Sequence, residues 1–207
     1  MKIFPKDLEN LLSANLSYEP RFPKSWLEGI SWRPASVLAL FANDQNNTSL
    51  LLTQRTSEVE THKGQVSFPG GMVDKTDKDL VQTALRETHE EVGICQTQIE
   101  VIGALPVLPI PVSSFEVTPW VSFLKQSPEK TSLNLNVSEI ETAFWVPIKD
   151  FLDPSVYVRE TREGMFQGKK YSFETHVYRV QNQVVWGATA AMIHLILNSL
   201  QKDHKKG

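Results

Sequence analysis

Residues 70–94, GGMVDKTDKDLVQTALRETHEEVGI, decide how this chain is read. They open on Gly70-Gly71 and close on Arg86-Glu87, Glu90-Glu91 and Gly93-Ile94. At about 100° per residue, Glu87, Glu90 and Glu91 fall within one arc of roughly 100° on a helix. Leu80, Val81, Ala84, Leu85, Thr88 and Val92 occupy the neighbouring arc and are expected to face a core. Three carboxylates on one helical face repel each other unless a cation sits among them. Hard divalent ions take such oxygen ligands and share them with substrate phosphates. A bare ExxEE is also satisfied by a solvated acidic face with Arg86 paired to Glu90; the flanking glycines and arginine favour the metal.

The rest of the chain limits what that helix can belong to. A length of 207 residues fits one domain with terminal elaborations. Composition is that of an ordinary soluble protein, 41% hydrophobic and 22% charged. A net charge of −3 points to neither a nucleic-acid groove nor an anionic membrane as partner. The single cysteine, Cys95, excludes an internal disulfide framework and suits a reducing compartment, and the residue reads as a packed or inert thiol. No stretch reaches the roughly 18 apolar residues of a membrane span, and the N-terminus MKIFPKDLEN lacks a secretory apolar run. The cytoplasm is the expected location.

Periodicity predicts a short amphipathic helix over residues 7–16, from Leu8, Leu11, Leu12 and Leu16. Residues 36–42 and 49–55 read as strands around a turn-rich tip, and 65–68 as a short strand ending at Pro69-Gly70-Gly71. The acidic helix follows, with Asp77 or Asp79 as N-cap and Gly93 able to end it in the αL conformation. Further strands are expected at 99–108, 117–124 and 142–146, and a hairpin over 171–186 turning at Gln181-Asn182. From Gly187 an apolar helix closes the chain, with His194 a hydrogen-bonded residue on it. Mixed strands with helices outside them give an α/β/α sandwich.

Residues 70–94 resemble the Nudix box, whose second half reads Arg-Glu-apolar-x-Glu-Glu-x-Gly-apolar. Thr88 stands where an apolar residue is usual. The early acid of the box falls on Asp77 counted from Gly71, but on Lys78 counted back from Arg86, so either Asp77 or Asp79 could brace the arginine. Upstream, residues 51–55 (LLTQR) and 61–71 (THKGQVSFPGG) are similar to the extra motif of the coenzyme A pyrophosphatase branch of these hydrolases. Residues 185–190 (VWGATA) are similar to another segment of that branch. Two departures are Thr56, for the usual Ser or Ala, and Glu60, where the branch carries arginine.

The resemblance implies a single Nudix domain over residues 1–207, with a core of about 34–191 and a helical extension over 1–33. It implies Mg²⁺ or Mn²⁺ held chiefly by Glu87 and Glu91, with Glu90 direct or through water and the Gly70 carbonyl as a backbone ligand. Arg86 would brace the ligands. A general base is expected from the loop before residue 142, where Glu139 aligns better than Glu141. Arg55, His62 and Lys63 are candidates to hold substrate phosphate. Phe115, Trp145 and Trp186 could line the site or belong to the core. The expected reaction is hydrolysis of coenzyme A or its thioesters. Rival substrates are nucleoside diphosphate sugars, ADP-ribose and nucleoside triphosphates, which Glu60 keeps open. A non-catalytic nucleotide-binding module is a further alternative, against which the complete carboxylate set argues. The partner is thus a small-molecule nucleotide; whether the chain is a monomer or a homodimer stays open.

Overall fold

The computed structural model of the chain describes residues 1–19, 22–56 and 64–204. The expected helix begins earlier than periodicity placed it, at α1 (Pro5–Leu12). Pro5 sits in the first turn, where its missing N–H costs nothing, and Asp7 accepts from the Phe4 N–H at 2.8 Å. Next come β1 (Arg33–Asn43), β2 (Thr48–Arg55), β3 (Val66–Ser67) and β4 (Gly70–Met72), then the acidic helix α2 (Leu80–Val92). After it the chain makes β5 (Ile99–Ala104), β6 (Leu108–Ile110), β7 (Phe115–Leu124), β8 (Ile140–Pro147) and the short α3 (Ile148–Phe151). It ends in β9 (Tyr157–Phe166), β10 (Lys169–Val180), β11 (Gln183–Trp186) and α4 (Gly187–His204).

The main sheet runs β3-β2-β1-β7-β5, with β4 also paired to β1, β6 to β7 and β8 to β2. It is mixed, because β1 and β7 are parallel from Arg33↔Phe115 to Phe41↔Phe123 while the other pairs are antiparallel. Its central strands are apolar at successive positions because both faces are covered. On β1, Leu38, Leu40 and Ala42 enter one core, while Ala39 and Phe41 enter the other. β2 alternates likewise, with Leu51 on the first side and Leu50 and Leu52 on the second. The first core lies under α2, through Ala84, Leu85 and Val92. The second collects α1 and α4, through Leu8, Leu11, Ile193, Ile196 and Leu200. The expected sandwich is present, with α2 on one face and α1 and α4 on the other.

Several features differ from the sequence reading. The strand expected over 99–108 stops at Ala104, and a separate short strand, β6, begins at Leu108 beyond Pro106, whose nitrogen cannot donate to the ladder. The C-terminal hairpin does not join the main sheet but forms a second, antiparallel sheet ordered β11-β10-β9. Its third strand, β9, was not expected at all. The predicted turn is present, with Gln181 and Asn182 both at positive φ, 49° and 62°. His194 accepts or donates at both ring nitrogens, to the Tyr178 hydroxyl and the Asn198 amide, each at 2.9 Å. Cys95 is exposed rather than packed. No helix among the described residues is long and apolar enough to cross a membrane.

Candidate active site

Local signals at both ends fix where α2 starts and stops. Asp79 is its N-cap, accepting from the Gln82 N–H at 2.8 Å. Gly93 ends it at φ 76° and donates its N–H to the His89 carbonyl. Between them the inner face buries Thr83, Ala84, Leu85, Thr88 and Val92. Thr88 fills an apolar position without an orphaned hydroxyl, since its Oγ1 donates to the Ala84 carbonyl at 2.7 Å.

The carboxylates at the end of this helix do not share one environment. Glu91 is 2% exposed. Its Oε2 accepts from the Gly70 N–H at 3.2 Å and its Oε1 faces Arg55 Nη1 at 3.4 Å. Glu87 is mostly covered, whereas half of the Glu90 side chain is in solvent. Burial pushes the Glu91 carboxyl up to about 8, opposed by the Gly70 N–H and Arg55 and reinforced by the charges of Glu87 and Glu139. Burial likewise raises Glu87, with Arg86 opposing and Glu90 and Glu139 adding to the rise.

Arg86 is the hub behind them. Nε and Nη2 each donate to Asp77 at 2.9 Å, a bidentate pair. Nη1 reaches Glu87 at 2.8 Å and Glu90 at 2.9 Å, and Nη2 also donates to the Met72 carbonyl at 3.1 Å. The guanidinium holds the Asp77 carboxyl well below the usual carboxylate range, helped by the Asp74 N–H and the Thr83 hydroxyl. The two aspartates therefore divide the work: Asp77 braces the arginine and Asp79 caps the helix. The extra residue in the spacing is taken up by the turn at Asp74, whose carboxylate accepts from the Thr76 N–H at 2.9 Å.

The diglycine makes this packing feasible. Gly70 has φ 150°, and a Cβ there would lie 2.6 Å from Val37 Cα and against the Ser36 carbonyl oxygen. A Cβ on Gly71 would lie 2.5–2.6 Å from the three carboxylate atoms of Glu87. The backbone thus passes flush against the carboxylates, as a site for a small hard ion requires. Glu87, Glu90 and Glu91 fit such an ion in kind: all are oxygen donors, and burial, reinforced by neighbouring carboxylates, raises Glu87 and Glu91. They are not preassembled as a cage. Among the described residues no three His, Cys, Asp or Glu side chains converge on one point, and Arg55 and Arg86 pair with carboxylate oxygens of Glu91 and Glu87.

Gly70, Gly71, Arg55, Arg86, Glu87 and Glu139 line a cleft of about 610 Å³, and Glu91 lies buried behind them rather than in its lining. Glu139 ends the turn before β8 and is half-buried, while Glu141 is exposed and lies outside the cleft. The apolar part of the wall includes Ile110, Phe115, Trp186 and Met192. Phe115 and Trp186 each carry a guanidinium over the ring at 4.3 Å, from Arg33 and Arg162 respectively. Trp145 packs on the α2 side of the sheet and does not line the cleft. His62 and Lys63, and Glu60 with them, lie outside the described residues.

Sequence reasoning missed part of this wall. Phe22, Tyr171 and Phe173 line it as well, with Phe22 5.8 Å from Tyr171 and 6.3 Å from Phe173, centroid to centroid. The i,i+2 spacing of Tyr171 and Phe173 on a predicted strand was the available signal. Phe22 had none, since it falls in a proline-punctuated connection.

Residues 32–165 match the family profile described as the NUDIX domain. A Pectobacterium atrosepticum protein described as an uncharacterized Nudix hydrolase, NudL, is 38% identical over 146 residues, 70% of this chain and 72% of that protein. Nudix hydrolase 3 of Caenorhabditis elegans is 29% identical, covering 98% of this chain and 88% of its own length. The crystal structure of a MutT/nudix family protein from Enterococcus faecalis shares the fold, with a TM-score of 0.52 at 14% identity over 98% of this chain and 76% of that one. With its carboxylate helix, diglycine turn and arginine hub in the described arrangement, this chain belongs to the Nudix hydrolase family.

Proposed function

We propose that the cleft hydrolyses the diphosphate linkage of coenzyme A or an acyl thioester of it, releasing 3′,5′-ADP and (acyl-)4′-phosphopantetheine. The observation that carries this reading is the mixed lining of the cleft, which combines Glu87, Glu139, Arg55 and Arg86 with a larger apolar set that includes Ile110, Phe115, Trp186 and Met192. Coenzyme A is mixed in the same way, a diphosphate attached to an extended, uncharged pantetheine arm. A nucleotide sugar would set its hydroxyls against Phe115, Ile110 and Trp186, leaving them without partners. The upstream and C-terminal motifs support the same substrate class.

Glu87 and Glu91 would hold Mg²⁺ or Mn²⁺, with Glu90 contributing directly or through water and the Gly70 carbonyl from the backbone. Such an ion supplies neutralisation of the diphosphate oxygens and a lowered pKa for a water. Glu139 faces the same space and takes the proton of the attacking water as its oxygen bonds to phosphorus and the bridging P–O bond breaks. Arg86 holds Glu87 and Glu90 in place against Asp77. Arg55, beside the carboxylates, grips the diphosphate, with His62 and Lys63 as further cations toward the phosphates. The protein works as a cytoplasmic enzyme on a small nucleotide substrate.

The test is a panel of coenzyme A, an acyl thioester, dephospho-coenzyme A, ADP-ribose and a nucleotide sugar, each assayed with Mg²⁺ and with Mn²⁺. Coenzyme A or its thioester should give the highest kcat/KM, and excess chelator should abolish turnover. Loss of the 3′-phosphate should cost about tenfold to a hundredfold, the worth of one charge-assisted contact. Faster cleavage of ADP-ribose or the nucleotide sugar overturns the substrate assignment.

A further inference from the structure

We propose that Arg55 is a built-in counter-ion of Glu91 that competes with the divalent ion and is transferred to the substrate diphosphate, so that ion and diphosphate bind cooperatively. The inference rests on the reading of Glu91 as a metal ligand.

Four observations carry it. Among the described residues, Glu91 has one partner on each oxygen, the Gly70 N–H on Oε2 and the Arg55 guanidinium on Oε1. The first partner is backbone in a paired strand and stays in place. The second is a side chain, and at 3.4 Å it lies at the long limit of hydrogen bonding, close enough to neutralise charge and loose enough to exchange. The backbone of Arg55 cannot follow its side chain. Its N–H donates to the Gln65 carbonyl at 3.1 Å, and the next residue donates to the Glu139 carbonyl at 2.9 Å. A β-bulge between Gln54 and Arg55 in the β2–β8 pairing sets the direction of that residue at the strand end. Finally, Arg55 lines the cleft, and its planar fork matches two phosphate oxygens as well as it matches a carboxylate.

A cation entering at Oε1 meets a guanidinium on the same lone pairs and is repelled by it at short range. Binding therefore requires the arginine to swing away. A diphosphate in the cleft offers it a second anion, which removes the competition. By linkage the gain is reciprocal, and couplings of this kind are typically about 5–150-fold.

Direct Mn²⁺ titration by electron paramagnetic resonance tests this without turnover. Arg55→Ala should bind Mn²⁺ on the order of tenfold more tightly than wild type when no nucleotide is present. Methylenediphosphonate, a non-hydrolysable diphosphate probe, should tighten Mn²⁺ binding to the wild type, after correction for Mn²⁺–diphosphonate association in buffer. In the variant only the direct ion–phosphonate contact remains, so that coupling should shrink by about tenfold. Arg55→Lys, which keeps the charge, should retain the competition. Arg55→Gln preserves most of the stem and should behave as Arg55→Ala does if the smaller side chain disturbs folding. Equal or weaker Mn²⁺ binding by both neutral variants, with coupling unchanged, overturns the inference. If Glu91→Gln binds Mn²⁺ as the wild type does, the metal reading itself falls, a separate outcome.

Discussion

Glu139 and Glu141 are two residues apart, and in a regular strand they would face the same way. They do not, because residues 137–139 form a turn and β8 begins only at Ile140. Glu139 thereby lines the cleft while Glu141 is left in solvent. Glu139→Gln should lower kcat by about 10²–10⁴-fold with KM nearly unchanged, the signature of a lost general base. Glu141→Gln should leave both parameters as they are. Steady-state kinetics on the two variants decides the matter, and the reverse pattern would reassign the base. At this scale the sequence carried residue types well and contacts poorly. Asp77 and Asp79 were both candidates to brace Arg86, since spacing counted from Gly71 lands on Asp77 while spacing counted back from Arg86 lands on Lys78, between the two. Only the turn at Asp74 distinguishes them, and that turn is built by a hydrogen bond from the Thr76 N–H to the Asp74 carboxylate and another from the Asp74 N–H to the Asp77 carboxylate, which no spacing rule contains.

Among elements, α2 was legible and β9 was not, for opposite reasons. The helix is specified locally, by a capping aspartate, an apolar face of period 3.6 and a terminal glycine. β9 reads YVRETREGMF, with charged residues through its length, and its place comes from pairing with β10 from Tyr157↔Tyr178 to Phe166↔Lys169. As an edge strand it is free to be polar, and charge there discourages further pairing. Its arginines are still used: Arg162 covers the ring of Trp186 and pairs with Glu160. In the diglycine strand β4, Gly70 packs flush on the backbone of β1, whereas Gly71 faces the Glu87 carboxylate. The nearest atoms to a methyl group at Gly71 would be those of the Glu87 carboxylate, the far end of a flexible side chain. Gly71→Ala should therefore shift Tm by little while displacing that carboxylate, and turnover should fall by about 10–100-fold, as when a supporting contact to a metal site is lost. A large fall in Tm with activity retained would show that Gly71 serves the fold alone.

Across the whole molecule, the cost of assembling the carboxylate site should be visible in stability. The folded protein raises Glu91 to about 8, against about 4.3 in an unfolded chain. A carboxyl raised on folding binds its proton more tightly in the native state. Its contribution is fully present below about pH 4.3 and is lost as pH rises through about 8. Glu87 is raised too and acts in the same direction. Asp77 is shifted the opposite way, so its contribution is complete above the unfolded value and lies outside this window. His194 is lowered by burial, so its effect opposes that of Glu91 near pH 6, and the wild-type curve alone is a sum of both. The difference between wild type and Glu91→Gln isolates the carboxylate. In EDTA, wild type should lose stability relative to Glu91→Gln between about pH 5 and 8, by on the order of a few kcal/mol. Each kcal/mol corresponds to roughly 2–4 °C in Tm for a chain of this size. Saturating Mn²⁺ should recover most of that loss in the wild type and little in the variant, because the ion stabilises whatever state holds the ionised carboxylate. Thermal melts of both proteins across this range, with EDTA and with Mn²⁺, measure the effect. Parallel curves in EDTA would mean that burial at the Gly70–Arg55 contact does not strain the ionised carboxylate, and that the site is as stable without a cation as with one.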